Sequence, residues 1–396
     1  MSSINHSSDK IIEIEEVSNS KDEESKVDGL ICFTGGGSAG HVTPNLALIE
    51  TWCNQGGTAM YVGRRKSVEA ELLRDYPEVS FHPIPSERLR RYFHWGNFIM
   101  PFIVLRGIFK AFWILRRHQP IALFSKGGFV ALPPVIAAWL NRIPVLVHES
   151  DGSLGLANKL SLPFAKVVCL AQERAKKNVN HKDIQLTGSP LRQAFFSANP
   201  DKAISLFSLK HDRPLLLVFG GSLGAKKIND SLWQALPKLI DTYEIIHVVG
   251  QGHINEQQKM NYSARGYQQI EYIKDGFADL LSCAHLILCR SGANTIAELI
   301  ALQKPALLVP LSTLSSRGDQ AINADEFIKL GGGVTIDNES LSGETLETGL
   351  NHLEKNYEDH KRSLAQIPYG NGTKILLNLI VQNQRRSKTH QNIQKT

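Results

Sequence analysis

The chain has 396 residues, 42% of them apolar, and a formal net charge of +6. That length exceeds what a single hydrophobic core supports, so two domains are expected, and the modest charge leaves no footprint for nucleic acid. No uninterrupted apolar run reaches the ~18 residues of a membrane-spanning helix, and five scattered cysteines, odd in number and mostly within apolar runs, argue for buried thiols of a reducing, cytoplasmic compartment and against a disulfide framework or zinc site.

Residues 1–28 carry eight acids against three bases, a composition that predicts a disordered acidic leader; the apolar run within it is too short and too acidic for a signal peptide. Beyond it, β-rich runs alternate with helix-length segments: LICFT, AMYVG, VSFHPI, IALFS, PVLVHE and KVVCL in the first half, then PLLLVFG, EIIHVVG, QIEYI, LILCRS, PALLVP and GGVTI in the second. Continuous apolar strands separated by helices are what a parallel sheet covered on both faces requires. Two such series predict two doubly wound α/β lobes. The break falls near TGSPLRQAF, where Gly188 and Pro190 interrupt the pattern. This gives an N-terminal lobe over 29–190, a C-terminal lobe over 191–370, a last helix over 371–384 packed back on the first lobe, and a frayed basic tail over 385–396 with four bases and no acid.

The chemistry is concentrated in glycine-rich turns between strand and helix. There, backbone N–H groups and a helix N-terminus can face an anion, and a side chain would block the approach. The first, TGGGSAGHVTP, holds Gly35, Gly37 and Gly40 at dinucleotide spacing. An NAD site would want an acid at the end of the next strand, and that strand ends in Arg64 and Arg65, which leaves an NADP oxidoreductase open but disfavoured. A tight turn that merely packs helix on sheet would show the same glycines. Two further turns, with Gly127 and Gly128 in FSKGGFVALPP and with Gly220, Gly221 and Gly224 in VFGGSLGAKKIND, suggest two phosphorylated ligands meeting across a cleft between lobes. In LCRSGANTIAELI, the Ser291–Gly292 turn precedes a helix carrying Glu298, a carboxylate placed to accept from ribose hydroxyls or, more plainly, a solvated helix residue.

TGGGSAGHVTPNLAL, GGFVALPPVIAAWLNRIPVLVHESD, GLANK, GSPLR, GGSLGA, CRSGANTIAE and RGDQAINA stand in the order and spacing of the MurG family of UDP-N-acetylglucosamine transferases (glycosyltransferase family 28), which this chain resembles from about residue 30 to 380. The resemblance implies a GT-B fold of two Rossmann-like lobes with an interdomain cleft. It implies inverting, metal-independent transfer of GlcNAc from UDP-GlcNAc to the MurNAc C4 hydroxyl of lipid I, forming lipid II, with no cofactor. On the donor side it places Arg192, Ser222 and Ser291 near the diphosphate, Glu298 on the ribose, Ile273 against uracil and Gln320 on the sugar, with Ser38 and Asp151 as further donor contacts. On the acceptor side Gly36, Gly37, Ser38 and Gly40, with Gly127 and Gly128, resemble a cradle for the diphosphate of lipid I. Three positions depart from the commonest family pattern: Ser38-Ala39 for threonine-glycine, Asp151 for asparagine, and Asp319 for the first of paired glutamines.

Inverting transfer needs a base near the attacking hydroxyl. His41 and Asp151 are the candidates, with a purely structural role for His41 equally open. The segment Glu87–Arg117 holds seven bases and one acid, with Phe93, Trp95, Phe98, Ile99, Phe102 and Trp113 among them, a pattern suited to an anionic lipid surface and also compatible with a core helix with solvated arginines. The resemblance places the protein peripherally on the cytoplasmic face of the bacterial inner membrane, among other cell-wall synthesis and division proteins. A UDP-GlcNAc 2-epimerase, a related glycolipid transferase and a non-catalytic nucleotide-sugar scaffold remain as alternatives.

Overall fold

The computed structural model describes residues 28–87, 96–210, 212–221, 224–312, 318–367 and 370–385, with backbone alone over 96–99. The acidic leader up to residue 27 and the tail from 386 lie outside these. The first sheet contains β1 (Leu30–Thr34), β2 (Thr58–Arg64), β3 (Ser80–Ile84), β4 (Ala122–Ser125), β5 (Val145–Glu149), β6 (Val167–Leu170) and β7 (Ile184–Leu186). The second contains β8 (Leu215–Phe219), β9 (Glu244–Val248), β10 (Tyr267–Ile270), β11 (Leu286–Cys289), β12 (Ala306–Leu308) and β13 (Gly333–Thr335). Strand order is β3-β2-β1-β4-β5-β6-β7 in the first and β10-β9-β8-β11-β12-β13 in the second. The ladders are parallel, as between β1 and β4 and between β8 and β11.

These are open, doubly wound sheets whose direction of winding reverses between β1 and β4 in one lobe and between β8 and β11 in the other. Ligands of such sheets bind outside the carboxyl ends of the strands at that reversal. The central strands are buried along their whole length, as in β8 and β5, because helices cover both faces and leave no solvent side for polar alternation.

Two strand expectations need correction. QIEYI is not a strand along its length: β10 begins at Tyr267, released from the left-handed Gly266, and pairs with β9 from Tyr267 to Ile270. Residues 271–273 have left the sheet. The three-residue edge strand β7 went unread because only one side needs partners and its Gln185 and Leu186 are exposed, so no apolar run announces it.

The two lobes are joined at Thr187–Leu191, and the helix Gly372–Asn383 returns across that joint. Gly372 must be small there, since a Cβ would lie 2.6 Å from the Ser189 carbonyl. Thr373 Oγ1 donates to Leu191 O at 2.7 Å and accepts from Leu191 N at 3.0 Å. Leu376, Leu377 and Ile380 then complete the core of the first lobe, while Leu364, a few residues earlier, still belongs to the core of the second. The Thr373→Val variant removes both bonds to Leu191 and is expected to cost about 1–3 kcal/mol. Leu376→Ala, which opens a cavity in the first lobe, should cost about 2–5 kcal/mol. Urea unfolding of each variant against the parent checks both, and the Leu376→Ala loss should fall on the first-lobe transition.

Candidate functional site

The loops that follow β1 and β4 flank the reversal point of the first sheet and pack on each other. Gly128 has φ +81°, and a Cβ there would stand 2.2 Å from Gly36 O and 3.0 Å from His41 Cδ2. Gly127 is likewise left-handed, with Asn158 Oδ1 2.7 Å from where its Cβ would be. Gly37 has φ +88° and is closed off by Phe129. The sequence-predicted acceptor residues Gly36, Gly37, Ser38, Gly40, Gly127 and Gly128, together with His41, therefore form one surface. Ser38 leads the 3₁₀ turn Ala39–His41 without capping it, and it is exposed with Gly37 and Gly40.

Beneath this surface lies a buried acid that sequence reasoning missed. Glu69 Oε1 accepts from Arg64 N at 3.1 Å, and Oε2 accepts from Gly37 N at 3.4 Å. A ribose-binding acid would stand at the end of β2, where the chain has Arg64 and Arg65. Glu69 comes five residues after Arg64 and anchors loop backbone instead, which explains why Gly36 has no room for a side chain: a Cβ would meet the Glu69 carboxyl at 2.6 Å.

A second buried acid, Glu149 at the end of β5, fixes the HESD turn. It accepts from Ser150 N, Asp151 N, Gly155 N and Asn158 Nδ2 at 2.8–3.2 Å. That arrangement holds Asp151 at the cleft. Burial pushes the Asp151 carboxyl above the ordinary aspartate range; Glu149 and Asp319 push the same way, and the Asn323 hydrogen bond and the Lys126 charge pull back.

The second lobe supplies the opposing wall. Ser291, fully buried after β11, donates to Gln320 O at 2.8 Å, and Gln320 Oε1 accepts from Leu311 N at 2.9 Å. Glu298, in the second turn of the helix Ala293–Ala301, is half-buried; burial pushes its carboxyl up to about 7, with the Arg192 charge pulling it down. Arg192 stacks its guanidinium 5.9 Å from the Phe195 ring centroid, and its Nε is buried without a hydrogen-bond partner. Ile273 packs its side chain against the second-lobe core, which leaves its role to the backbone. Ser222 lies outside the described residues. Arg290, beside Ser291, is committed to structure: it donates to Val309 O, Pro310 O and Asn338 Oδ1.

One face of the helix Asp319–Lys329 carries much of the contact between the lobes. Along Asp319–Lys329, Asp319 accepts from Ser153 at 2.8 Å, Asn323 donates to Asp151 Oδ1 at 3.2 Å, and Glu326 accepts from Arg174 at 2.9 Å. Asn323 also donates to Ser291 O at 3.1 Å and accepts from Gln172 at 3.1 Å. On the other side of the cleft Asn294 donates to Gly40 O at 3.1 Å. Within RGDQAINA, the signal for Asn323 is its spacing of four residues from Asp319, which puts both on one helix face.

Two doubly wound lobes, each presenting its anion-ready turns at a reversal point and closing on the other, define a GT-B glycosyltransferase fold. Residues 31–170 match the glycosyltransferase family 28 N-terminal domain, and residues 215–371 match the family 28 C-terminal domain. The chain is 41% identical over 350 residues to a Clostridium botulinum protein named UDP-N-acetylglucosamine--N-acetylmuramyl-(pentapeptide) pyrophosphoryl-undecaprenol N-acetylglucosamine transferase, covering 88% of this chain and 98% of that one. It is 38% identical, over the same shares, to the protein of that name from Geobacillus thermodenitrificans. Among solved structures it is similar to Acinetobacter baumannii MurG, with a TM-score of 0.70 and 27% identity over 89% of this chain and 99% of that one. A UDP-GlcNAc 2-epimerase from Neisseria meningitidis, at TM-score 0.61 and 14% identity over 90% of this chain and 100% of that one, shares the fold. The chain belongs to glycosyltransferase family 28.

The raised Glu298 pKa has a consequence for stability. Its folded value of about 7 lies above the 4.5 of an ordinary glutamate, so the native state holds more protons than the unfolded one between those values. The ionised carboxyl therefore disfavours folding above pH 7, and this penalty disappears as pH falls toward 4.5. Glu298→Gln is expected to raise the unfolding midpoint of the ligand-free protein at pH 8 more than at pH 5, while raising the KM for the nucleotide donor. Paired thermal melts and donor kinetics check both.

Proposed function

We propose that the enzyme makes lipid II by a single inverting displacement without a metal ion: the C4 hydroxyl of the MurNAc unit of lipid I attacks the anomeric carbon of GlcNAc, the bond from that carbon to the UDP oxygen breaks, and UDP leaves. The observation that carries this reading is the pair of facing reversal points, with Asp151 of the first lobe hydrogen-bonded through Asn323 to the Ser291 turn of the second. One anion-ready wall per lobe suits a diphosphate donor on one side and a diphosphate acceptor on the other. Arg192, with its unpartnered Nε, and the Ser222 and Ser291 turns supply charge and donors for the departing UDP.

Asp151 is the base in this proposal. It stands where the acceptor lobe meets the donor turn, and a carboxylate whose pKa is raised by burial is a better proton acceptor near neutral pH than an ordinary one. His41 lies against Gly128 at the meeting of the two glycine loops and orders the acceptor surface. Glu298 binds the ribose, Ile273 pairs with uracil through its backbone, and Gln320 meets the sugar.

A lipid-linked acceptor requires a lipid-facing surface. No helix among the described residues is long and apolar enough to cross a membrane. The helix Gly96–His118 buries Ala111 and Leu115 and leaves Phe102, Leu105, Phe109 and Trp113 between 57% and 68% exposed. Their spacing of three and four residues makes one stripe. Arg106, Lys110, Arg116 and Arg117 are exposed on the same helix, and Leu140 of the neighbouring helix Leu132–Leu140 adds an exposed apolar side chain beside Leu105 and Phe109. Leu105, Phe109 and Leu140 help line a cavity of about 680 Å³. Phe93 and Trp95 of the expected set lie outside the described residues, as do the side chains of Phe98 and Ile99. Following β3 and preceding β4 of a parallel sheet, this helix starts at the strands' carboxyl edge, the edge that carries the acceptor loops. It holds the enzyme peripherally on the anionic cytoplasmic leaflet.

UDP release from UDP-GlcNAc should depend on a lipid I analogue and should persist in EDTA; release without acceptor, or loss on chelation, counts against the reading. Asp151→Asn should lower kcat by roughly 10²–10⁴ with little change in donor KM, as steady-state kinetics will show. Phe109→Ser combined with Trp113→Ser should weaken binding to phosphatidylglycerol vesicles while leaving turnover of a soluble short-chain acceptor intact; unchanged vesicle binding refutes the lipid-facing role.

A further inference from the structure

Lys126 is a buried amine that the proposed mechanism does not use; burial lowers its pKa, and the charges of Glu149 and Asp151 pull it back up. It follows β4 directly, is 2% exposed, and sits against the first glycine loop, with its Cβ 3.1 Å from where a Gly35 Cβ would be. Among the described residues its one side-chain hydrogen bond runs from Nζ to Ser150 Oγ at 2.6 Å, and it forms no salt bridge within 4 Å. An ammonium in such a place is costly unless a counter-charge stands near.

Two carboxylates can serve, and they differ in what already engages them. Glu149 accepts four hydrogen bonds from Ser150 N, Asp151 N, Gly155 N and Asn158 Nδ2, so its charge is largely taken up by the turn it organises. Asp151, on the other side of Ser150, accepts from Asn323 and stands at the cleft. His148, the remaining titratable group facing Lys126, is buried, donates Nε2–H to Gly188 O at 3.0 Å and leaves Nδ1 without a partner; burial drives its pKa well down, and the Lys126 charge drives it further. From the second lobe Asp319 faces Asp151 and opposes its ionisation.

We propose that Lys126 is a positioning residue for transfer, a buried counter-charge that steers the 150–155 turn through Ser150 and keeps the Asp151 carboxylate ionised at the cleft. The proposal rests on Asp151 acting as the base. Lys126 and Asp151 then form one electrostatic unit, and their neutral replacements of similar shape should be tolerated together better than singly.

A double-mutant cycle of Lys126→Met and Asp151→Asn tests this by two readouts, the thermal unfolding midpoint and the pH profile of kcat/KM for the acceptor. Lys126→Met alone should lower the midpoint by several degrees. Since the lost positive charge had favoured the carboxylate, the Asp151 pKa should rise, and the acid limb of the profile should move up by about one pH unit. Adding Asp151→Asn should restore much of the lost midpoint, because the uncompensated carboxylate is gone; if Lys126→Met does not fold, recovery of a folded double variant is that rescue. A merely structural lysine would lower activity equally at every pH, so additive midpoints or an unmoved acid limb overturns the proposal. Asp151→Asn on its own separates this from the base assignment: wild-type turnover by that variant sinks the assignment, and the unfolding cycle then judges Lys126 by itself.

Discussion

The Asn323 amide is the interaction on which the closed cleft depends. It is 1% exposed, its NH₂ group donates to Asp151 of the first lobe and to the Ser291 carbonyl of the second, and its oxygen accepts from Gln172 of the first. Three bonds nearly exhaust what one amide can make. They tie the turn after β5, the turn after β11 and the start of the segment after β6 to one point. An aspartate there would lose both donors, and an aliphatic residue would leave buried groups on both lobes without partners.

The other organising device is a pair of buried carboxylates that hold loops rather than ligands. Glu69 takes amides from the end of β2 and from the first glycine loop. Glu149 takes four donors from the turn that bears Asp151 and from Asn158. Each acid sits behind a wall of the cleft and turns loop backbone into a fixed shape, so the residues at the surface need not be rigid by themselves. Asn158 links the systems: it donates to Glu149 and to His148 O, and it packs where a Gly127 side chain would otherwise go. The second lobe uses Arg290 in the same way, joining β11 to the segment after β12 and to Asn338.

The fold was legible because parallel strands covered on both faces must be continuously apolar, and LICFT, IALFS, PVLVHE and PLLLVFG each announce a strand without reference to any other part of the chain. β7 was silent for the opposite reason, and QIEYI misled because Ile273 packs on the second-lobe core from beyond the strand's end, as Ile270 does from within it. Loops were legible wherever positive φ or a close approach demands glycine, as at Gly128. What the sequence could not display is pairing at a distance. Nothing in SVEAELL shows that Glu69 reaches Gly37, and nothing in RGDQAINA shows that Asn323 faces Asp151, since these contacts depend on how two helices are set against loops far away in the chain. The helix Gly96–His118 fell between these cases: its bases and rings were apparent, but the exposed stripe runs through Leu105 and Phe109 and meets Leu140, which only packing against the helix Leu132–Leu140 could select.

The polar character of the clasp also fits the demands of turnover. The lobes meet through Ser153–Asp319, Asp151–Asn323, Gln172–Asn323, Arg174–Glu326, Lys274–Asp75 and Asn294–Gly40. Hydrogen bonds of this kind are each worth about 0.5–1.5 kcal/mol net, and exposed ion pairs such as Lys274–Asp75 contribute about 0–1 kcal/mol. A joint of that size closes readily, and it can reopen within a catalytic cycle to release UDP and admit the next donor. An apolar seam of equal area would bind the lobes too firmly for that exchange. The lobes' cores are accordingly separate, and the permanent crossings are the chain at Thr187–Leu191 and the returning helix Gly372–Asn383, pinned to it at Thr373.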